Sequence, residues 1–249
     1  EARQQAKWGM KIPEDIFLND VLPYANVNER RDNVRRMLRE KFWPLVKDLD
    51  SSSLAAATLN QQVFGQLNVR YSTKRRRADQ GVLESVESGL ASCTGLSILL
   101  IDACRACGLP ARFVGTPLWS DGSGNHSWVE IWDDGWHFTG AAEPTGDRLD
   151  QAWFTGRAAK AKISDPRHGI FAVSFRRTDL KFPLVWARFR DRMPEVYAVE
   201  VTRRYSQPQS PESNLAELKF RTWGPLGSER CQANLILKDA QGQVVFRGQ

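Results

Sequence analysis

Ser92-Cys-Thr-Gly-Leu-Ser-Ile-Leu-Leu-Ile-Asp-Ala-Cys-Arg-Ala-Cys-Gly-Leu-Pro110 is the stretch on which the reading of this chain turns. From Thr94 onward its leucines and isoleucines recur at helical spacing. The run stops at Gly108, a natural residue for the left-handed turn that ends a helix, with Pro110 just beyond. Cys93 therefore falls at the N-terminus of a buried helix. There the unpaired N–H groups and the helix dipole favour a thiolate and lower the thiol pKa. The same N–H groups can donate to an oxyanion. A cysteine at a helix start is only suggestive by itself, so a base and an orienting acid are needed.

The base comes from Gly124-Asn-His126-Ser-Trp-Val-Glu-Ile-Trp132, an alternating run. It predicts a strand with His126, Trp128, Glu130 and Trp132 on one face and Ser127, Val129 and Ile131 on the other. Asp133-Asp134-Gly135 is a hairpin signal, after which Trp136-His-Phe-Thr returns as a second strand. With Asp134-Gly135 as a two-residue turn, Asp133 faces Trp136 and His126 falls opposite Glu143. Opposed residues on one face have Cβ atoms about 4.5–5.5 Å apart, within reach for a carboxylate to hold an imidazole. The weak point of that register is Gly140-Ala-Ala, where the chain can leave the sheet early. His137 is the rival base, expected across from Trp132, and His168 in Asp-Pro-Arg-His-Gly reads as a turn residue. A Cys, a His and an acid in this arrangement suit nucleophilic attack on a carbonyl: thiolate as nucleophile, imidazole as base and acid, carboxylate fixing the tautomer.

These segments resemble a known series. Gly89-Leu-Ala-Ser-Cys93-Thr-Gly, Gly108-Leu-Pro-Ala-Arg112, His126-Ser-Trp-Val-Glu130 and Gly135-Trp136 are similar to the core motifs of the transglutaminase-like superfamily, over about residues 55–145. The resemblance implies an α+β fold with a papain-like core, N-terminal helices packed on an antiparallel sheet. It also implies cysteine-dependent acyl transfer or amide hydrolysis, with Cys93, His126 and an acid as the triad. The family includes transamidases, proteases, peptide N-glycanases and non-catalytic relatives. Its third residue is usually Asp followed by Pro, where this chain has Glu143-Pro144. Its oxyanion side chain lies upstream of the cysteine, and the candidates here are Gln61, Gln62 and Gln80. Arg112 reads as half of a structural ion pair beneath the site. Trp119, ahead of the glycine-rich loop 121–124, and Trp128 are candidates to line the cleft and touch substrate.

The remaining signals bound the answer. In 249 residues, 41% hydrophobic with nine Trp and twelve Phe, there is material for one large domain with a small appendage. Residues 1–50 read as an N-terminal helical segment, with a helix from Asn28 carrying Val34, Met37, Leu38 and Phe42 on one stripe and ended by Pro44. Residues 51–193 read as the catalytic core, with helices over 54–68 and 147–165. Residues 194–249 read as a small all-β segment, strands being expected at Glu195–Thr202, Ala216–Thr222, Ala233–Leu237 and Val244–Phe246. It breaks off at Gln249 as if inside a larger domain.

The formal charge is +6, with a cluster at Lys74-Arg75-Arg76-Arg77. A run so short is more often a solvated face than an anion site, and without base-stacking motifs it does not suggest nucleic acid. Cys104 and Cys107 have redox or zinc spacing. No second pair of ligands accompanies them, so they read as apolar fillers in a helix, and neither a metal nor an organic cofactor is expected. No apolar run is long enough to span a bilayer. The chain opens on Glu1 rather than Met, as a processed form would, and the β appendage fits an exported protein somewhat better than a cytoplasmic one. The expected substrate is a peptide, protein or glycan-linked amide, with hydrolysis favoured over transamidation. The competing reading is a catalytically silent relative used for binding or scaffolding.

Overall fold

The computed structural model describes residues 2–187 and 195–206, together with two strands, 235–238 and 244–248. The chain divides into two units, 1–207 and 208–249.

The first unit opens with helices α1 (Ala2–Gln5), α2 (Glu14–Asp20) and α3 (Arg35–Val46). Helix α3 starts later than the sequence suggests and runs through Pro44. Proline there removes only one N–H, whose partner would have been the exposed Glu40 carbonyl, so the last turn persists. The buried stripe is Val34, Leu38, Phe42 and Val46, four residues apart, and Met37 lies off it in solvent. Helix α4 (Ser52–Gln66) is capped by Ser51, whose Oγ accepts the Leu54 N–H at 3.2 Å. Strand β1 (Arg70–Tyr71), helix α5 (Val82–Ser88) and strand β2 (Leu90–Ala91) then lead into α6 (Cys93–Ala106).

Helix α6 is buried almost all round and forms the axis of the unit. Its start is capped by Ser92 Oγ, which accepts from Gly95 N at 3.1 Å. Its end is a Schellman turn. Gly108 adopts φ 81°, Leu109 N–H returns to the Cys104 carbonyl, and Gly108 N–H returns to that of Arg105. Arg105 is buried within it and donates to the Asp20, Ala25 and Ala111 carbonyls, tying the N-terminal segment to the helix and to the strand that follows.

That strand is β3 (Ala111–Thr116), followed by β4 (His126–Trp132) and β5 (Trp136–Thr139). After the short helix α7 (Thr155–Ala158) come β6 (Phe171–Ser174), β7 (Leu180–Lys181), β8 (Tyr197–Glu200) and helix α8 (Thr202–Ser206). The six strands β3–β8 form one antiparallel sheet in the order β5-β4-β3-β6-β8-β7. Alternate residues serve two cores. Phe113, Val129, Ile131 and Val173 join the helices in the larger one, and Val114, Trp128 and Ala172 face Phe154 and Tyr205 in the smaller. The fold is thus α+β, as the sequence implies.

Three expectations change. The segment 147–165 is mostly turns, with only α7 helical, and the positive φ of Asp150 and Ser164 bars a helix from running through either end of it. Residues 1–50 are not a separate segment, since Ala6, Trp8, Ile12 and the α3 stripe belong to the main core. Strand β8 hydrogen-bonds to β6 and β7, so the division expected at 194 lies instead at 207/208. In the second unit, β9 (Leu235–Lys238) and β10 (Val244–Gly248) form an antiparallel pair. The strand expected at 216–222, and Cys231, lie outside the described residues. Among the described residues no helix is long and apolar enough to cross a membrane.

Burial leaves an electrostatic signature at Asp20. This carboxyl is 1% exposed, and desolvation raises its pKa from 3.8 to about 6 despite the pull of Arg112 and Arg105. A carboxyl raised on folding contributes stability at low pH that is lost as the pH climbs through 6. Asp20→Asn should therefore be more stable than the parent at pH 8 by about 2–3 kcal/mol, at about 1.4 kcal/mol per pKa unit. The difference should close below about pH 4. Urea denaturation at the two pH values checks both the size and the closing.

Candidate active site

The site forms where β5 lets go of β4. Their ladder pairs Val129 with Thr139, Glu130 with Phe138, Ile131 with His137 and Trp132 with Trp136. The turn therefore holds three residues, Asp133–Gly135, with Asp134 at φ 54°, rather than two. The register is one residue away from the expected one, so Glu143 does not pair with His126. The ladder ends at Thr139, and residues 126–128 of β4 keep an open edge on that side.

Cys93 occupies this edge. It is half-buried, and the backbone N–H of Ser127, the residue after His126, faces its Sγ together with Thr94. Thr94 Oγ1 and Ser127 Oγ, 3.1 Å apart, lock the first turn of α6 to the strand. Gly115 permits this end of β4 to sit close, because a Cβ there would come within 2.9 Å of the His126 carbonyl oxygen. Burial pushes the Cys93 thiol up. Ser127, Thr94 and the charge of Arg75 oppose that rise without cancelling it. The lowered thiol pKa expected of a helix start is thus overridden by desolvation.

His126 projects from the opposite face of β4 into an aromatic cage. Its ring lies 5.9 Å from Trp119 and Trp128, 5.0 Å from Trp153 and 4.9 Å from Phe154. Burial, with help from the charge of Arg157, lowers its pKa from 6.5 to about 4, so the imidazole is neutral at physiological pH. Its Nε2 is buried without a hydrogen-bond partner. So is Oε2 of Glu143. Glu143 is raised by burial, a rise opposed by Trp153, the ring that packs on His126. No direct hydrogen bond joins His126 to Cys93 or to Glu143 in this state.

Asn60 of α4 sets the path from β5 to Glu143. Its Nδ2 donates to Thr139 Oγ1 and the Gly140 carbonyl, and its Oδ1 accepts the Ala142 N–H, all at 2.9 Å. Gly140 leaves room for the Glu143 side chain, which a Cβ there would strike.

The other sequence candidates take definite places. Trp119 and Trp128 are 3% and 0% exposed and stacked at 7°. They wall the imidazole in and present no face to a substrate, contrary to the cleft-lining role expected of them. Gln61 is spent on Gly146 O, and exposed Gln62 accepts from Gln66. Gln80 is buried, and its amide donates to Glu84, Ser88 and Leu90, which leaves it no free donor for an oxyanion. The N–H of Cys93 itself has no acceptor among the described residues. His137 pairs with Asp150 at 2.6 Å, but it lies opposite Ile131, about 17 Å along the strand from His126 at 3.4 Å per residue. His168 bonds the Leu118 carbonyl. Cys104 and Cys107 are buried free thiols, both raised by desolvation, Cys107 to about 12. No cluster suited to a metal occurs among the described residues.

Trp153, Arg157 and Asn60 escaped the sequence reading. The first two lie in the stretch 147–165, which the sequence predicts as a helix, and Asn60 is one of several polar residues in the predicted helix 54–68, with no local signal to set it apart.

Beneath the site, Glu130 holds β4 in place. It is fully buried. Oε2 meets Arg112 at 2.6 and 2.7 Å, and Oε1 accepts from Arg204 at 2.8 Å and Tyr205 at 2.7 Å. The Tyr205 hydroxyl accepts from Trp128 Nε1 at 2.8 Å. Arg112 is thus the structural ion pair its position suggests. Glu130→Gln would leave two guanidinium groups facing a neutral amide, and should cost about 3–5 kcal/mol in chemical denaturation.

Residues 44–140 match the family model described as the transglutaminase-like superfamily. The match contains Cys93 and His126 and stops short of Glu143. No curated protein matches the chain. Among solved structures, the chain is similar to one from Cytophaga hutchinsonii named "Putative Cysteine Protease", at 16% identity and a TM-score of 0.42. The likeness covers 58% of this chain and 48% of that one, so the chain spans about half of that protein's length.

Proposed function

We propose that this transglutaminase-like core is a cysteine hydrolase acting on peptide or related amides, with Cys93 as nucleophile, His126 as base and acid, and Glu143 as orienting acid. The observation that carries the reading is the thiol at the start of α6, facing the N–H of the residue next to His126, together with two buried polar atoms without a partner, His126 Nε2 and Glu143 Oε2, whose side chains both adjoin Trp153. A buried donor and a buried acceptor left open cost about 1–3 kcal/mol each. A hydrogen bond between them would remove both costs, once Glu143 turns from Trp153 to the imidazole. That leaves Nδ1, the ring nitrogen nearer the backbone, for Cys93.

The chemistry then starts from a neutral pair. His126 Nδ1 takes the thiol proton as Sγ bonds to the carbonyl carbon, and the C=O electron pair moves onto oxygen. The Cys93 N–H and the first turn of α6 receive that oxyanion. The imidazolium would be unstable in its aromatic cage, and Glu143 on Nε2–H stabilises it through the step. It then protonates the leaving nitrogen as the C–N bond breaks, giving a thioester. Water, deprotonated by His126, attacks the thioester, releases the acid and restores the thiol. Transamidation would differ only in an amine taking the place of that water.

Cys93→Ala should abolish turnover of a peptide amide and block labelling by peptide electrophiles while the circular dichroism stays unchanged. An unlabelled Cys93 in the parent protein would instead indicate a silent relative. Glu143→Gln should lower kcat/KM by about a hundredfold, in the range of lost general acid–base assistance. Gly140→Ala should act in the same direction by displacing Glu143, with little change in melting temperature. A Gly140→Ala protein as active as the parent would argue against Glu143.

A further inference from the structure

The basic run at 74–77 is unevenly satisfied. Arg77 pairs with Glu84 at 2.6 Å and with Asp79 at 3.7 Å, and Arg76 pairs with Glu87 at 3.3 Å. Lys74 stands out in solvent. Arg75 is half-buried, yet has no ion pair or hydrogen bond among the described residues.

Its place in the chain is fixed by the loop that carries it. Ser72 N–H donates to the Ala91 carbonyl at 2.9 Å, and Ser92 Oγ donates to the Ala78 carbonyl at 2.5 Å. Both feet of the loop are thus fastened to the two residues that precede Cys93, and Arg75 is midway between them. Its charge is felt at the thiol, where it favours the thiolate. On the far side of the site Arg157 is engaged, 3.4 Å from Asp121 and over the Trp153 ring. Arg75 therefore combines nearness to the nucleophile with an unoccupied guanidinium. A guanidinium is a planar fork of donors matched to a carboxylate, and losing part of its hydration without a partner is unfavourable.

We propose that Arg75 binds a carboxylate carried by the substrate, so that the site selects acidic peptides. This rests on Cys93 being the nucleophile. The four-residue run is then two kinds of residue: Arg76 and Arg77 hold the loop against α5, and Arg75 reads the substrate.

Iodoacetate and iodoacetamide test it, since they differ only in carrying a carboxylate or an amide beside the reacting carbon. With either, the Cys93 sulfur displaces iodide as the S–C bond forms and the C–I bond breaks, and the thiol proton passes to His126 or solvent. The ratio of the two alkylation rates at Cys93, read by mass spectrometry of the intact chain, should fall about fivefold in Arg75→Ala, a typical scale for one half-exposed charge pair. It should fall further in Arg75→Glu, be largely retained in Arg75→Lys, and shrink in the parent protein at high salt. A ratio unmoved in Arg75→Ala and Arg75→Glu, with Cys93 still reactive to iodoacetamide, overturns the role of Arg75 alone. A Cys93 inert to both reagents overturns the nucleophile and the inference with it.

Discussion

The approach of Cys93 Sγ to the Ser127 N–H depends on β5 ending where it does. Had the ladder run on past Thr139, a β5 residue would have satisfied the β4 edge and the start of α6 would have been held away. The chain leaves instead at Gly140, and Asn60 fixes the departure by bonding Thr139, Gly140 and Ala142. One early exit thus opens the edge that receives the thiol and carries the chain on to Glu143. Both faces of β4 are then used, Ser127 toward the helix with the thiol and His126 toward the aromatic cage.

Electrostatics explain why such a strand needs anchoring. Its even-numbered face carries an imidazole whose charged form is strongly disfavoured, and a buried carboxylate, Glu130, that is tolerable only because two arginines and a tyrosine meet it. Tyr205 and Arg204 come from α8, late in the chain, so the segment after β8 contributes directly to the rigidity of the site. Trp128 joins the same network through its indole N–H and stacks on Trp119, which completes the wall behind His126. The thiol and the imidazole are both held in their uncharged forms, which makes a partner on Nε2 decisive for any step that charges the ring.

Much of this was legible in the sequence, for identifiable reasons. The α6 boundaries were carried by local signals, the helical spacing of the apolar residues from Thr94 and Gly108 as the left-handed stop, and both need only neighbouring residues. The alternation from His126 to Trp132 gave the two faces of β4 correctly, because side-chain direction follows from strand geometry alone. The partner of His126 depended on turn length. An Asp-Asp-Gly sequence fits a two- or a three-residue loop, and one residue of slip moves every pairing. The thiol pKa went the other way because helix-start assistance is local, whereas desolvation is set by how the whole core closes around α6. The stretch 147–165 was misread because its apolar residues, Trp153 and Phe154, face the cage of a distant histidine and not one side of a helix.

A crystal structure of the chain reacted with an acidic peptide aldehyde tests the account most directly. The account predicts a hemithioacetal on Cys93 with its oxygen at the Cys93 N–H, His126 Nδ1 within hydrogen-bond distance of the adduct, and Nε2 bonded to Glu143. An unmodified Cys93, or an adduct with His126 still unpartnered in its cage and Glu143 still on Trp153, would contradict it.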